Sequence, residues 1–325
     1  MEQDIKTLGE KIINGGEISF EEACALLSIE NEHDVDTLVE TAHKVFLTFQ
    51  NRKADLCSLV NAKSGRCPED CAFCAQSSHF NGAVDEYSLF NADKIVQCAK
   101  EAEQSGAHRF CIVTSGKRLD SEDFNKVLDA FRAIKENTSL ELDGSLGILS
   151  NDEIQALRQI GVTRINHNLE TSERFFSQIC STHTFRDRYK TVERLRQHGM
   201  QTCCGGIIGL GEEREDRVAL AFSLKDLAVD CVPLNILNPR PGTPLENRCR
   251  LEPQEIIKTI AVFRLILPKA IIKIAGGREV NLGEAQVRAL RAGANGIIIG
   301  GYLTTPGNSV KEDLGLIQSA GLEIK

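Results

Sequence analysis

The spacing of apolar residues changes along the chain near residue 50. Before that point apolar residues recur at helical intervals, first at Ala23, Leu26 and Leu27 and then from Leu38 to Phe46. The segment Ser19-Phe-Glu-Glu22 has the sequence of a capping box, a common helix start. The pattern therefore predicts a helical extension over residues 1–50.

From residue 51 onward, short apolar segments alternate with amphipathic stretches of helical length. Strands are predicted at 54–60, 109–114, 139–146, 163–169, 202–208, 231–237, 271–275 and 296–299. Helices are predicted at 91–105, 121–136, 151–160, 185–198, 214–228, 253–266 and 283–292. Glycines that end several helices, such as Gly161 and Gly199, suit the left-handed stop before a buried parallel strand. Eight such units predict an α/β fold, a single closed TIM-type (β/α)8 barrel over residues 51–325.

Composition restricts the partners and the compartment. Lys and Arg number 38 against 46 Asp and Glu, and the net charge of −8 gives no sign of binding to nucleic acid or an anionic membrane. No apolar run approaches the length of a membrane span, and the first residues lack the apolar segment of a signal peptide. Twelve cysteines in such a chain predict a cytoplasmic protein with metal chemistry rather than disulfides.

Three cysteines follow the first predicted strand. Cys67, Cys71 and Cys74 have C-x3-C-x2-C spacing, and a loop this tight can supply three thiolates to a four-iron cluster. The fourth iron then stays open for a substrate or a cofactor. Two alternatives are structural zinc, which usually needs a second cysteine pair that does not follow here, and three core cysteines by chance. A loop after a barrel strand lies at the C-terminal face, where such folds carry their working residues.

Further motifs extend to the C-terminus. They are Asn61-Ala-Lys-Ser-Gly-Arg-Cys-Pro-Glu-Asp-Cys-Ala-Phe-Cys-Ala-Gln-Ser77, Arg109-Phe-Cys111, Asn166-His-Asn168, Cys203-Cys-Gly-Gly-Ile-Ile-Gly-Leu-Gly-Glu212, Val232-Pro-Leu-Asn235, Gly242-Thr-Pro-Leu245 and Leu303-Thr-Thr-Pro306. On these motifs the sequence resembles the biotin synthase family of radical S-adenosylmethionine enzymes. The resemblance implies that sulfur is inserted into dethiobiotin to form biotin. It also implies a homodimer and an electron donor such as flavodoxin or ferredoxin.

The resemblance implies a cofactor site at the three cysteines. Their four-iron cluster binds S-adenosylmethionine, and the radical formed from it performs the chemistry without a catalytic side chain. Arg188 matches the arginine that pairs with the carboxylate of S-adenosylmethionine. Glu170 stands where the family usually has Asp, in contact with the ribose hydroxyls. Gly206 and Glu212, in the Gly-rich segment, complete the implied cofactor site.

The resemblance also implies a substrate site. Asn168 and Asn235 match the residues that hydrogen-bond the ureido ring, and amide side chains suit a neutral ring with donors and acceptors. Thr304 and Thr305 lie where the carboxylate tail of the substrate is held. Turn or capping duty is the alternative for such polar residues.

The family carries a second cluster that supplies sulfide, and here the sequence departs from the pattern. The usual ligands are cysteines on strands 2, 3 and 5 and an arginine on strand 7. This chain keeps Cys111 and Cys203 but has Asp143 and Lys273 at the other two positions. A carboxylate is a harder ligand than a thiolate, and Lys is a poor substitute for Arg. The ordinary two-iron cluster is therefore in question.

Cys57, on the first strand, is the favoured replacement ligand. Together with Cys111 and Cys203 it predicts a four-iron auxiliary cluster whose fourth iron carries an exchangeable sulfide. The alternative is that Cys57 is a small core residue and the auxiliary cluster has two irons. Cys180 is another candidate, whereas Cys231 receives no role. Asp143 and Lys273 are expected to pair with each other in the vacated space, since an unpaired buried charge is costly.

Two other functions are compatible with the cysteine motif. One is a different radical S-adenosylmethionine barrel, such as an enzyme of hydrogenase maturation, and the other is a non-catalytic iron–sulfur carrier. Asn168 and Asn235, which match residues that hydrogen-bond the ureido ring, favour the biotin synthase family over a maturase. Arg188 counts against a carrier, because a carrier needs no S-adenosylmethionine pocket.

Overall fold

Three helices precede the barrel. The computed structural model describes residues 1–305 and 307–324. Its first elements are α1 (Glu2–Ile13), α2 (Phe20–Leu27) and α3 (Glu32–Phe49), which confirms the helical extension. Ser19 and Glu22 form the expected capping box at the start of α2.

Parallel strands form the body of the molecule. They are β1 (Lys53–Lys63), β2 (Arg109–Thr114), β3 (Glu141–Ser145), β4 (Val162–Asn166), β5 (Gln201–Cys203), β6 (Gly206–Ile208), β7 (Cys231–Ile236), β8 (Ile271–Ile274), β9 (Gly296–Ile298) and β10 (Glu323–Ile324). The order β1-β2-β3-β4-β5-β7-β8-β9 closes through pairing of β9 with β1. The predicted closed (β/α)8 barrel is confirmed.

The predicted fifth strand is divided in two. Both β5 and β6 pair with β7, and the strand is interrupted between them at Cys204 and Gly205. A Cβ atom at Gly205 would lie 2.1 Å from the carbonyl oxygen of Pro233, so only glycine permits this approach. The short β10, which pairs with β1, lies outside the predicted set.

Helices surround the barrel. They are α4 (Ala92–Gln104), α5 (Ser121–Asn137), α6 (Asn151–Ile160), α7 (Glu173–Phe176), α8 (Phe185–Gln197), α9 (Arg214–Asp226), α10 (Pro253–Ile266), α11 (Arg278–Leu282), α12 (Gln286–Arg291) and α13 (Val310–Ser319). The predicted helix 283–292 is a 3-10 turn at Gly283–Ala285 followed by α12, and α7, α11 and α13 were not predicted. Gly161 ends α6 in the left-handed conformation, at φ 105°.

The extension packs against α10. Every residue of α10 from Ile256 to Ile266 is buried, because the helix lies between the extension and the barrel. The ammonium group of Lys258 donates to the carbonyl oxygens of Leu27 (3.0 Å) and Ile29 (2.8 Å), which satisfies the end of α2. Among the described residues, no helix is both long and apolar enough to cross a membrane.

Candidate active site

A cavity of about 470 Å³ opens at the C-terminal ends of the strands. A volume of this size suits a small-molecule site. Most of the residues singled out from the sequence line it, namely Cys67, Cys71, Cys74, Asn168, Glu170, Arg188, Asn235, Thr304 and Thr305. Residues far apart in the chain therefore meet at one face, as a parallel barrel requires.

The cysteine loop after β1 folds back on itself. The backbone N–H of Cys67 donates to the carbonyl of Gln76 (3.0 Å), and Ser78 N–H donates to the carbonyl of Cys67 (2.8 Å). Within the loop, Cys74 N–H donates to the carbonyl of Cys71 (2.9 Å). This closed loop presents all three thiols to the same cavity.

A second loop, after β4, holds the cysteine loop in place. The carboxylate of Asp70 accepts hydrogen bonds from the backbone N–H groups of Ser181 (2.9 Å) and Thr182 (3.1 Å). Burial opposes ionisation of Asp70, but these hydrogen bonds keep its pKa well below the usual value. The carboxylate of Glu69 pairs with Nδ1 of the His183 imidazole on the same loop. Sequence reasoning missed this anchor, although the two acids between Cys67 and Cys71 were its signal.

Cys180, in the loop after β4, lies beside the cysteine loop and not at the second cluster for which it was considered. Its Sγ lies 3.9 Å from Sγ of Cys71 and 3.2 Å from Nδ1 of His183. The ligand atoms of these three residues lie within 4.8 Å of one another. They form a thiol and imidazole cluster at the edge of the cavity.

Arg188 and Glu170 place opposite charges side by side in the cavity. Nε of Arg188 donates to Nε2 of His183 (2.8 Å), and Nη1 donates to the carbonyl of Asn168 (3.0 Å). Nη1 also lies 3.4 Å from Oε1 of Glu170. Burial raises the pKa of Glu170, while Arg188 opposes that shift. The pair can bind a ligand that carries both a carboxylate and hydroxyl groups.

Gly206 and Glu212 shape the site from behind, and the structure brings neither to the cavity wall. A Cβ atom at Gly206 would lie 2.3 Å from the carbonyl oxygen of Glu170, so glycine lets the two segments pack. The carboxylate of Glu212 accepts from the N–H of Gly209 (2.8 Å) and from Nε of Arg217 (2.7 Å). Their assignment to the cofactor site stays a prediction from the sequence, and these contacts show how both residues hold the glycine-rich turn beside Glu170.

Asn168 and Asn235 connect strand ends while they line the cavity. Oδ1 of Asn168 accepts from the N–H of Gly205 (3.1 Å), and Oδ1 of Asn235 accepts from the N–H of Gly276 (2.9 Å). Thr304 and Thr305 lie on the loop after β9, which Asn61 holds by donating to the carbonyl of Leu303. Pro306 of the same motif lies outside the described residues.

Buried thiols lie beneath the cavity. Cys57, Cys111 and Cys203 are 4%, 1% and 3% exposed. Leu59 and Val113, which line the cavity, pack directly on Cys57 and Cys111. Cys203 is in strand register with Asn166, whose Nδ2 lies 3.5 Å from Sγ of Cys111. Oδ1 of Asn166 is buried and has no hydrogen-bond partner among the described residues.

Cys231, which received no role from the sequence, faces the same interior. It starts β7 and is the register partner of Cys203 on β5. Burial raises the pKa of Cys231, but its neighbour Cys203 and the charges of Lys273 and Arg164 outweigh burial and lower that pKa below its ordinary value. The sequence around Cys231, at the start of its strand, does not indicate that this residue lies next to Cys203.

The expected ion pair between Asp143 and Lys273 is wrong. Asp143 instead accepts from Nη2 of Arg109 (2.7 Å) and from Nε of Arg164 (2.9 Å). Lys273 pairs with Asp55 at 2.5 Å, and Arg164 reaches the same carboxylate at 3.3 Å. Arg109 on β2 and Arg164 on β4 flank the strand that carries Asp143. Each buried acid therefore has cationic partners that its own sequence neighbourhood does not reveal.

The surroundings of Cys57, Cys111 and Cys203 shift the pKa of each of these thiols upward. Burial raises the pKa of Cys57 to about 11 and takes the pKa of Cys111 well above its ordinary value. The pKa of Cys203 is likewise raised, by contact with Cys231 and by burial. Because the surrounding charges pair with one another, binding of a metal group here must release the thiol protons.

Two family models match the chain. Residues 62–224 match the radical S-adenosylmethionine superfamily, and residues 233–323 match the biotin and thiamin synthesis associated domain. Among solved structures, methylornithine synthase (PylB) superposes with a TM-score of 0.85 at 21% identity, covering 98% of this chain and 97% of that chain. The hydrogenase maturase HydG from Carboxydothermus hydrogenoformans gives a TM-score of 0.83 at 16% identity, covering 98% and 79%. At these identities the two structures show the shared fold alone.

The fold, the cavity and the superfamily match define a radical S-adenosylmethionine barrel enzyme. Biotin synthase from Carboxydothermus hydrogenoformans is 46% identical over 322 residues, 98% of this chain and 99% of the relative. Biotin synthase from Clostridium acetobutylicum is 47% identical over 322 residues, 98% of each chain. The chain belongs to the biotin synthase family. It is a radical S-adenosylmethionine sulfurtransferase, and its reaction is radical insertion of sulfur into dethiobiotin to form biotin.

Proposed function

We propose that this enzyme works with two iron–sulfur groups placed above and below the floor of one cavity. Cys67, Cys71 and Cys74 hold the outer group, and the inner thiols hold the sulfide source. The observation that carries the proposal is the position of Leu59 and Val113, which line the cavity and pack on Cys57 and Cys111 beneath it. A substrate in the cavity therefore has a radical source on one side and a sulfur source on the other.

The outer thiols suit a four-iron cluster with one open iron, because three of them line a cavity with room for another ligand. When bound, this cluster supplies the electron that cleaves S-adenosylmethionine to the radical that breaks unactivated C–H bonds. Arg188 binds the carboxylate of the cofactor, and Glu170 accepts hydrogen bonds from its ribose hydroxyls. Gly206 and Glu212 support that wall by close packing and by holding the glycine-rich turn.

Dethiobiotin occupies the rest of the cavity. Asn168 and Asn235 hold its ureido ring, while Thr304 and Thr305 bind its carboxylate tail. The amides are already oriented by hydrogen bonds to Gly205 and Gly276, which reduces the ordering that the ligand must impose. The apolar floor excludes water from the reacting carbons.

The inner group is proposed to be a four-iron cluster with extra sulfide, held by Cys57, Cys111 and Cys203. Asp143 is neutralised by Arg109 and Arg164, and Lys273 is paired with Asp55, so neither residue is free to act as a ligand. The remaining soft donors at this depth are thiols, which iron–sulfur groups require. The two-iron alternative would need the ligands that this chain has replaced.

We also propose the organisation of the protein around this site. Residues 1–50 form an extension and residues 51–325 form the catalytic barrel. The enzyme acts as a cytoplasmic homodimer that receives electrons from a flavodoxin or a ferredoxin. The twelve cysteines favour a reducing compartment, and the family resemblance of the sequence implies the dimer and the electron donor.

Iron and sulfide counts after anaerobic reconstitution test the proposal. We expect about eight irons per chain for two four-iron groups, whereas about six would leave only a two-iron inner cluster. Cys57→Ala should lower the iron count, and the exposed Cys249→Ala should not. An unchanged count in Cys57→Ala would remove Cys57 from the ligand set. Reduced protein that forms no 5′-deoxyadenosine from S-adenosylmethionine would contradict the outer site.

A further inference from the structure

Cys231 and Cys203 stand side by side on the inner face of the barrel. They are register partners on the parallel strands β7 and β5. Register partners lie about 4.8 Å apart at Cα, with side chains on the same face. The N–H of Cys204 donates to the carbonyl of Cys231 (2.8 Å), which holds this register.

The direction of the Cys231 side chain follows from β7 itself. Pro233 and Asn235 line the cavity, and side chains on a strand alternate between its faces. Cys231, two residues before Pro233, therefore points into the barrel below them, and it is fully buried. Cys204 is equally buried but packs in the main apolar core around the barrel.

The barrel thus presents four buried thiols, one more than the proposed ligand set of the inner group uses. We propose that Cys231 is a fourth thiolate ligand of that group, binding the iron that carries the sulfide for insertion whenever that sulfide is absent. This inference rests on the proposed four-iron inner group. In this arrangement the thiolate of Cys231 would keep that iron bound after the sulfide has been spent.

The exchange balances without a redox step. When Cys231 binds iron, its S–H bond breaks, an S–Fe bond forms and the proton passes to water. When hydrosulfide returns, it takes the iron position and the released Cys231 thiolate takes up a proton. No electrons move between the two states, so the proposal needs no oxidant or reductant.

Iron retention tests this role separately from catalysis. Wild type, Cys231→Ala, Cys231→Ser and Cys204→Ala are reconstituted anaerobically, freed of excess sulfide and exposed to an iron chelator. S-adenosylmethionine is present at saturation so that the outer group stays covered.

We expect wild type and Cys204→Ala to keep about eight irons per chain. Both Cys231 variants should lose about one, since a hydroxyl is a harder and poorer ligand for such iron. Added sulfide should restore retention in both.

Three results would overturn the proposal. The first is a Cys231→Ala protein that keeps as much iron as wild type without sulfide. The second is equal loss from Cys204→Ala, which would assign the effect to packing. The third is a wild-type protein with only about four irons, which removes the proposed inner group as well. Thermal unfolding of the metal-free variants checks the fold, and Cys231→Ala and Cys204→Ala should shift the midpoint to a similar degree.

Discussion

The ammonium group of Lys273 lies 2.5 Å from the carboxylate of Asp55 at the base of the barrel. Burial opposes ionisation of Asp55, yet Lys273 and the neighbouring cations hold its pKa far below the ordinary value. The pair is therefore charged in the folded protein. Lys273 stands at the position where the family resemblance implies an arginine ligand of the second cluster.

Replacing Asp55 by Asn should destabilise the fold strongly, because Lys273 then remains buried without its partner. The expected loss is about 3–5 kcal/mol in the free energy of unfolding. Urea unfolding of the metal-free chain under reducing conditions measures it. Glu122→Gln is the matched control, since it breaks the exposed Lys126–Glu122 pair and should leave the unfolding midpoint unchanged. Equal effects of the two substitutions would contradict the buried pair.

Arg188→Lys should weaken binding of S-adenosylmethionine. A lysine keeps the charge but loses the planar donors that contact His183, Asn168 and a ligand carboxylate. Loss of a charged hydrogen bond predicts a Kd roughly 10- to 100-fold higher. Equilibrium dialysis with reconstituted protein measures the Kd. Arg186→Lys, on the same helix but facing Glu173 on the surface, should bind as wild type does.

Gly206→Ala and Gly315→Ala should change stability in opposite directions. The added methyl at position 206 would lie 2.3 Å from the carbonyl oxygen of Glu170, which predicts a loss of about 1–3 kcal/mol. Gly315 lies within α13 with open space around it, so alanine there should stabilise by about 0.5–1 kcal/mol. Thermal unfolding compares the two variants. A neutral Gly206→Ala would show that the Glu170 turn is not packed as described.

The stability of the protein should fall in acid because of His167. Burial, with the charge of Arg188 nearby, lowers the pKa of His167 to about 3. In the unfolded chain this imidazole takes up a proton near pH 6.5, as an ordinary histidine does. Between pH 6.5 and about 3 the unfolded state therefore binds one more proton. The free energy of unfolding should drop by about 1.4 kcal/mol per pH unit on this account.

Comparison with His167→Gln isolates that contribution. Unfolding of wild type and variant is measured from pH 7.5 to pH 5, where the other ionisable groups titrate alike in both proteins. The wild-type curve should fall more steeply below pH 6.5. Parallel curves would mean that the imidazole is solvated or protonated in the folded protein.

Some elements were predictable because their signals are local. The strand at 109–114 and the helix at 151–160 appear at the predicted bounds, since apolar spacing, capping residues and the glycine stop all lie within each segment. The cysteine loop was also predictable, because its three thiols lie within eight residues. The split of the fifth strand was not, since it depends on the backbone of Pro233 approaching Gly205 from a different strand.

By itself the sequence determined the barrel class, the helical extension and the outer cysteine loop. Only the tertiary structure decided which buried groups face one another. In the structure Lys273 pairs with Asp55 rather than with Asp143, Cys180 lies beside Cys71 of the cysteine loop, and Cys231 is the register partner of Cys203. The physical reason is that these contacts depend on strand register and barrel closure, which bring together side chains from distant segments. A spacing pattern within one strand shows its inward face but not its partners across the barrel.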